Sequence, residues 1–197
     1  MHFKLSPRET ILYLNYIYLD NRIILLIWET IGFDGFFEKS RDQLDFLDDK
    51  IYRKIFNDEN LEGFKYYNEK VNKFGYDYVT MLDEYYPHNL RYIEDRPALL
   101  FYKGNLDYEK DRNSIAFVGA RKCTDYGKWA CKNLTEGIAN SGITTVSGLA
   151  YGIDAMCHKS TLEVLGRTVG VIGCGIDKIY PKQNRNLYEQ LEERGLI

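Results

Sequence analysis

The 197-residue sequence lacks any apolar run long enough to cross a membrane. Its strongest run covers only residues 23–28, whereas a spanning helix needs about 20 mostly apolar residues. The N-terminus also lacks the basic, apolar and small-residue order of a signal peptide. These absences argue against membrane and secreted proteins, and they predict a cytoplasmic protein.

Cysteine is scarce and carries no metal-binding pattern. The four cysteines, Cys123, Cys131, Cys157 and Cys174, form no C-x-x-C pair, and His158 beside Cys157 is not a usual ligand pairing. We therefore expect reduced thiols and no metal site.

Nucleotide and catalytic motifs are missing as well. A dinucleotide loop needs G-x-G-x-x-G, but Gly119 has no second glycine until Gly127, and no P-loop motif occurs. Ser147-Gly148 does not match the nucleophile elbow. Asp154 and His158 share one predicted helix, and we interpret them as a helix-start carboxylate and a packed histidine. We expect neither a cofactor nor catalysis.

What the sequence does contain is an alternation of strands and helices from residue 114 onwards. Apolar strands are expected at residues 115–118, 144–147 and 168–172, with helices at 126–140, 153–165 and 184–194. This order predicts an α/β fold with a Rossmann-like parallel sheet. A glycine-marked loop follows each strand, at the edge where such sheets bind ligands. Backbone N–H groups in these loops suit a phosphate.

The preceding residues differ. The pattern of residues 1–75 predicts helices. One follows the capping box of Ser6 and Glu9, and the others cover residues 22–31, 40–56 and 60–74. Residues 76–111 predict strands at 78–82 and 99–102, and a polar turn at 107–113. The expected domains are thus a helical one at 1–75 and an α/β one at 76–197, of which 76–111 is an extension.

Charge supports an anionic ligand for the second part. Residues 1–111 carry a net charge of −6 (15 basic, 21 acidic), and residues 112–197 carry +3 (11 basic, 8 acidic). Arg121 and Lys182 stand on separate loops of the predicted edge, where both can contact phosphate. We expect Arg121 to contribute more to binding than Arg167 or Lys128.

The predicted sheet has only three parallel strands, half of a doubly wound sheet. We therefore expect the chain to be part of a longer protein, or to cover an open strand edge by self-association. On this hypothesis residues 168–172, or another edge strand, expose apolar faces and unpaired backbone groups.

Taken together, the three loops resemble the DprA/Smf DNA-processing family. The matching motifs are Gly119-Ala-Arg121 with Thr124-x-Tyr126-Gly127, then Ser147-Gly-Leu-Ala-Tyr-Gly-Ile-Asp154-x-x-x-His158, then Gly173-x-Gly175-x-Asp177-x-x-Tyr180-Pro181-x-x-Asn184. Upstream, Tyr86-Pro87-x-x-Leu90, Asp95-x-Pro97 and Tyr102-x-Gly104 also match. The motifs cover about residues 79–185, and the helical N-terminus more loosely resembles that family's sterile-alpha-motif-like domain.

The resemblance implies single-stranded DNA binding during natural transformation, with protection of the strand and loading of the RecA recombinase, and no catalytic activity. It carries over these binding residues: Gly119, Arg121, Ser147, Gly148, Gly152, Gly173, Gly175, Lys182 and Asn184. Ala120 stands where the family usually has Ser or Thr. The family's Rossmann domain also continues past Ile197, and the part beyond it is linked to dimerisation and RecA contact.

Two rival hypotheses remain. One is a nucleotide-processing enzyme on a related Rossmann-like fold, although that group's P-G-G-x-G-T loop is absent. The other is a nonfunctional truncated product.

Overall fold

The computed structural model describes residues 4–71, 73 and 75–197. The chain divides into two compact units at Leu100 and Phe101, which we call the N-terminal unit and the C-terminal unit. Each unit is described separately below.

The described residues of the N-terminal unit form four α-helices. They are α1 (Pro7–Tyr16), α2 (Asn21–Ile31), α3 (Asp49–Ile55) and α4 (Asp58–Val71). Helix α1 begins with the predicted capping box, in which the side chains of Ser6 and Glu9 bond each other's backbone N–H. Helix α2 ends at Gly32, whose φ of 67° favours glycine. Both helix predictions are confirmed.

The single helix predicted at residues 40–56 is wrong. A 3-10 turn, Arg41–Leu44, precedes the separate helix α3. The break arises because Asp48 caps a new helix, accepting a hydrogen bond from the Ile51 N–H at 2.8 Å. Helix α4 begins at Asp58, two residues before the predicted start, and its predicted end at Phe74 lies outside the described residues.

Two short strands follow the helices. Strand β1 (Asp77–Thr80) and strand β2 (Leu99–Tyr102) form a two-stranded sheet. The predicted strand at residues 78–82 ends early, because the Asp83 carboxylate accepts hydrogen bonds from both the N–H and the hydroxyl of Thr80. That local bonding favours a turn over further strand pairing.

The C-terminal unit has the predicted Rossmann-like α/β order. Its elements are α5 (Tyr108–Arg112), β3 (Ser114–Ala116), α6 (Asp125–Asn140), β4 (Thr144–Ser147), α7 (Ile153–Glu163), β5 (Thr168–Gly170) and α8 (Arg185–Arg194). The strands pair in parallel in the order β3-β4-β5, which confirms the fold class. Helix α5 replaces the predicted polar turn, since Asp107 caps it by accepting from the Lys110 N–H.

Strand β5 does not have the unpaired edge expected for residues 168–172. The Leu196 N–H donates to the Thr168 carbonyl at 3.2 Å, and the Gly170 N–H donates to the Leu196 carbonyl at 2.8 Å. Gly195 permits this path, because a Cβ there would lie 2.5 Å from the Thr168 oxygen. Apolar side chains are exposed at Ile115 in β3 (41%), at Val118 just after β3 (88%) and at Val171 just after β5 (60%).

Candidate nucleic-acid interface

The three loops after β3, β4 and β5 leave the same edge of the sheet, as parallel strands require. We call residues 117–124 the first loop, 148–152 the second and 171–181 the third. Ser147, the last residue of β4, holds the starts of the other two. Its hydroxyl donates to the Phe117 carbonyl at 2.7 Å, and its carbonyl accepts from the Val171 N–H at 2.8 Å.

Glycine allows the first and second loops to touch backbone to backbone. A Cβ on Gly152 would lie 2.1 Å from the Ala120 carbonyl oxygen, and the φ of Gly152 is +80°. A Cβ on Gly119 would lie 2.6 Å from the Ile153 side chain. Contacts this short exclude any larger residue at either position. Both glycines are therefore needed to bring the loops together.

An open cleft of about 600 Å³ lies where these loops meet helix α6. Its lining residues are Arg121, Lys122, Cys123, Lys128, Tyr151 and Gly152. Three of the six are cationic. A cleft of this volume is in the range that holds a small organic ligand such as a nucleotide.

The three cations are not equally free to bind a ligand. The Lys128 ammonium contacts the Asp125 carboxylate at 2.9 Å, and this hydrogen bond raises the pKa of Lys128 above its ordinary value. Within residues 4–71, 73 and 75–197, no hydrogen bond or ion pair engages the side chain of Arg121 or Lys122. Their charges face the cleft uncompensated by a protein partner.

Helix α7 adds to the positive potential of the cleft. It begins directly after Gly152, which supplies no side-chain cap. Helix α6, in contrast, is capped by the Thr124 hydroxyl, which accepts from the Gly127 N–H at 3.1 Å. The N-terminus of a helix carries a partial positive charge that favours anions. The acidic Asp154 in the first turn of α7 partly offsets this effect.

Several predicted site residues lie at the same sheet edge without lining the cleft. Gly148 is exposed, and a Cβ there would lie 2.7 Å from an Asp154 carboxylate oxygen. Gly173 and Gly175 are exposed in the third loop, and a Cβ on Gly173 would meet nothing within 4 Å. Lys182 is exposed at the start of the 3-10 turn Lys182–Asn184.

Ser147 and Asn184 use their side chains within the protein. Asn184 is buried, and its amide donates to the carbonyls of Leu149 at 2.8 Å and Ala150 at 3.2 Å. It thereby joins the second loop to the turn that precedes α8. These two side chains can position the loops, but their polar groups are already bonded to the backbone.

The pair Asp154 and His158 has the arrangement interpreted from sequence. His158 is fully buried, and its Nδ1 lies 2.7 Å from the Thr168 hydroxyl. Burial lowers the pKa of His158 to about 4, because a buried imidazole resists charging. Among the described residues, its Nε2 has no hydrogen-bond partner. His158 is a packed histidine beneath the loops.

Sequence reasoning missed Lys122, Cys123 and Lys128 as cleft residues. Lys122 could have been predicted as a cleft residue because it stands beside Arg121. Lys128 could have been predicted because it lies in the first turn of a helix that starts at the same loop. Tyr151 also lines the cleft, from the second loop. In the described part of the chain, no group of three His, Cys, Asp or Glu side chains could hold a metal ion.

The family model for DNA recombination-mediator protein A matches residues 77–197. The chain belongs to this family. Protein Smf of Synechocystis is 41% identical over 152 residues, which are 75% of this chain and 38% of that protein. DNA processing protein DprA of Streptococcus pneumoniae is 42% identical over 118 residues, 60% of this chain and 41% of that protein. The chain thus spans about four tenths of the length of these curated relatives.

Two solved structures of family members are also similar. The X-ray structure of DNA processing protein A from Streptococcus pneumoniae covers 98% of this chain and 67% of that one, with a TM-score of 0.72 and 30% identity. A Helicobacter pylori structure, described as showing a single-stranded DNA binding mode, covers 63% of this chain and 54% of that one, with a TM-score of 0.54 and 28% identity.

No helix within the described residues is both long enough and apolar enough to cross a membrane.

Proposed function

We propose that this chain binds single-stranded DNA, with the strand's phosphates in the cleft formed by the first loop, the second loop and α6. The observation that carries the proposal is the convergence of Arg121, Lys122 and Lys128 on one cleft beside the N-terminus of α7. Guanidinium and ammonium groups bind phosphate through charge-assisted hydrogen bonds. The single-stranded DNA binding described for the Helicobacter pylori relative supports this choice of ligand.

The proposed interaction directs the protein to the DNA backbone rather than to particular bases. Phosphate contacts position a nucleic acid but carry no sequence information. Gly119 and Gly152 let the first and second loops meet at the cleft, while Ser147 and Asn184 hold the loops in place. Gly148, Gly173, Gly175 and Lys182 extend the proposed binding surface along the same edge.

Membership of the DNA recombination-mediator family supports a role in the handling of incoming DNA. We propose a cytoplasmic role in natural transformation, in which the protein protects single strands and assists RecA loading without catalysis of its own. We further propose self-association, for which the exposed Ile115 of β3 and the exposed Val118 just after it offer a surface.

Arg121→Ala tests the cleft directly. Binding of a fluorescein-labelled oligothymidylate is measured by fluorescence anisotropy, beside Lys159→Ala as a charge-matched control. Lys159 is exposed in the same unit but lines a different groove, between α7 and α8. Losing a charge-assisted hydrogen bond costs about 1.5–3 kcal/mol, so we expect Arg121→Ala to weaken binding about tenfold or more. Equal affinity for both variants would contradict the proposal.

Arg167 and Lys128 are unsuitable as neutral controls. Arg167 makes a two-pronged contact to Asp111 at 2.6 Å, with both side chains largely buried, so removing it would destabilise the unit. Lys128 lines the cleft itself.

Salt dependence measures how many phosphates the site neutralises. Single-stranded DNA gives a slope of log affinity against log salt of about −0.7 per phosphate. Three cleft cations, of which Lys128 is already paired, predict a slope of roughly −1.5 to −2. Lys122→Ala should make the slope shallower by about 0.7. A much steeper slope in titrations across salt would locate the main binding surface elsewhere.

A further inference from the structure

Two aromatic side chains stand on the outer face of helix α6 without core packing. Tyr126 is 75% and Trp129 is 62% exposed. Their ring centroids lie 5.8 Å apart, and the ring planes are inclined by 31°. Large exposed aromatic surfaces are unfavourable in water unless they bind something. The two rings therefore form a surface that the folded unit itself leaves uncovered.

This aromatic pair lies on the helix that supplies one wall of the cationic cleft. Both rings lie in the first turns of α6, which begins at Asp125. Lys128, which lines the cleft with Arg121 and Lys122, stands between them in sequence on the same helix. The helix start is fixed by the Thr124 cap, so Lys128 and the two rings are held on one rigid element, and Arg121 and Lys122 stand on the loop that leads into it.

We propose that Tyr126 and Trp129 form a stacking platform for the bases of single-stranded DNA whose phosphates occupy the cleft. This inference rests on the proposed function and adds a second contact to it. Every base has a flat π face, so stacking on aromatic side chains tolerates any sequence. The protein would then contact both parts of one strand, its phosphates in the cleft and its bases on α6.

Charge favours a nucleic acid over a protein partner at this surface. The uncompensated groups in the cleft are the Arg121 guanidinium and the Lys122 ammonium, which attract a polyanion. The adjacent Asp125 carboxylate is 98% exposed, but it is paired with Lys128 at 2.9 Å. A duplex is a poor occupant because its bases are stacked and paired inside the helix, so the platform requires a single strand.

Tryptophan fluorescence tests the proposal directly. The chain has two tryptophans, and Trp28 lies in the N-terminal unit, so Trp28→Phe leaves Trp129 as the sole reporter in the full chain. We expect an oligothymidylate to quench Trp129 emission. An oligomer of the same length made of abasic sites keeps the phosphates but lacks the bases, and we expect it to bind without this quenching. Equal quenching by the abasic oligomer or by duplex DNA would overturn the platform.

Affinity gives a second, independent test. We expect Trp129→Ala to weaken oligothymidylate binding on the order of tenfold and to leave abasic-oligomer binding unchanged. Trp129→Phe, which keeps an aromatic face, should restore most of the affinity. The matched control is Leu134→Ala, because Leu134 is 59% exposed on the same helix but further from its start. We expect this control to bind like the parent.

Two outcomes separate this inference from the proposed function. If Arg121→Ala weakens binding while Trp129→Ala binds like the parent, the platform is wrong and the phosphate cleft stands. If neither variant weakens binding and Trp129 is not quenched, both are wrong.

Discussion

An aromatic cluster of the N-terminal unit and an aromatic pair of the C-terminal unit differ in burial. In the N-terminal unit, aromatic rings pack against one another in the core: Tyr13 makes edge contacts with Phe37 and Phe64 at 5.5 and 5.3 Å between centroids. In the C-terminal unit, Tyr126 and Trp129 meet at the surface. Aromatic content alone therefore does not indicate function, and the exposure of each ring has to be known as well.

The units also differ in what they bury. Among the described residues, the N-terminal unit buries two polar side chains, Thr10 and Thr80. The C-terminal unit buries many more polar side chains. Thr145 bonds both Thr161 at 2.8 Å and Thr168 at 2.9 Å, and Thr168 in turn meets His158. This hydroxyl network joins β4, β5 and α7 beneath the loops. Hydrogen bonds among these buried hydroxyls favour one specific arrangement of those elements.

The largest loss of stability is expected for Phe64→Ala, which removes a ring from the aromatic core of the N-terminal unit. Phe64 is 1% exposed, and removing a buried aromatic ring costs about 3–5 kcal/mol. We expect the unfolding of that unit, followed by Trp28 fluorescence in a Trp129→Phe background, to move to lower urea.

Tyr66→Ala is the matched control for Phe64→Ala, since Tyr66 lies on the same helix and is 62% exposed. It removes only a surface contact with Lys70, so we expect a loss below about 1 kcal/mol. Similar losses for the two variants would show that the ring cluster does not stabilise the unit.

Regular elements were predictable where the sequence signals were local and strong. The capping box at Ser6, the helix α6 and the strand β4 are found where they were predicted. The pairing of Leu196 with β5 was not predictable. It depends on Gly195 approaching Thr168, a contact between residues far apart in sequence that no local pattern encodes.

Alanine substitution of two glycines in the C-terminal unit tests the next largest expected effect on the free energy of unfolding. Gly152→Ala would place a Cβ 2.1 Å from a backbone oxygen at a φ of +80°, whereas Gly173→Ala would meet nothing within 4 Å. At Gly152, backbone strain and the clash together should lower the free energy of unfolding by about 3 kcal/mol or more. At Gly173 the substitution should lower it by about 0.5 kcal/mol or less. Urea unfolding followed by Trp129 measures both. The same variants in the anisotropy assay show whether the joined loops are required for DNA binding.

The candidate site was predictable only in part, for a physical reason. The glycines and Arg121 follow strand ends, where loop chemistry is encoded locally. Lys128 enters the cleft because α6 turns it there, and its orientation depends on the helix packing that follows. The same packing leaves Tyr126 and Trp129 outside, although aromatic residues in a sequence usually indicate core.

The smallest expected effect tests the buried polar network of the C-terminal unit through pH. The pKa of His158 is lowered by burial to about 4 from an ordinary value of 6.5. The folded unit therefore keeps this imidazole neutral at a pH where the unfolded chain protonates it. Protonation then favours the unfolded state, so stability falls as the pH drops from about 6.5 towards 4 and levels off below that range.

For this pKa difference, the free energy of unfolding falls by roughly 2 kcal/mol between about pH 7.5 and pH 5. Urea unfolding of the Trp28→Phe chain, followed by Trp129, measures it at both pH values. Many carboxylates also respond to acid, so the decisive quantity is the difference between this chain and one that also carries His158→Gln, which cannot take up the proton. We expect the glutamine variant to be less stable at neutral pH but to lose about 2 kcal/mol less on acidification. Parallel pH profiles would mean that His158 titrates normally and that the polar layer beneath the loops admits water, unlike the aromatic core of the N-terminal unit.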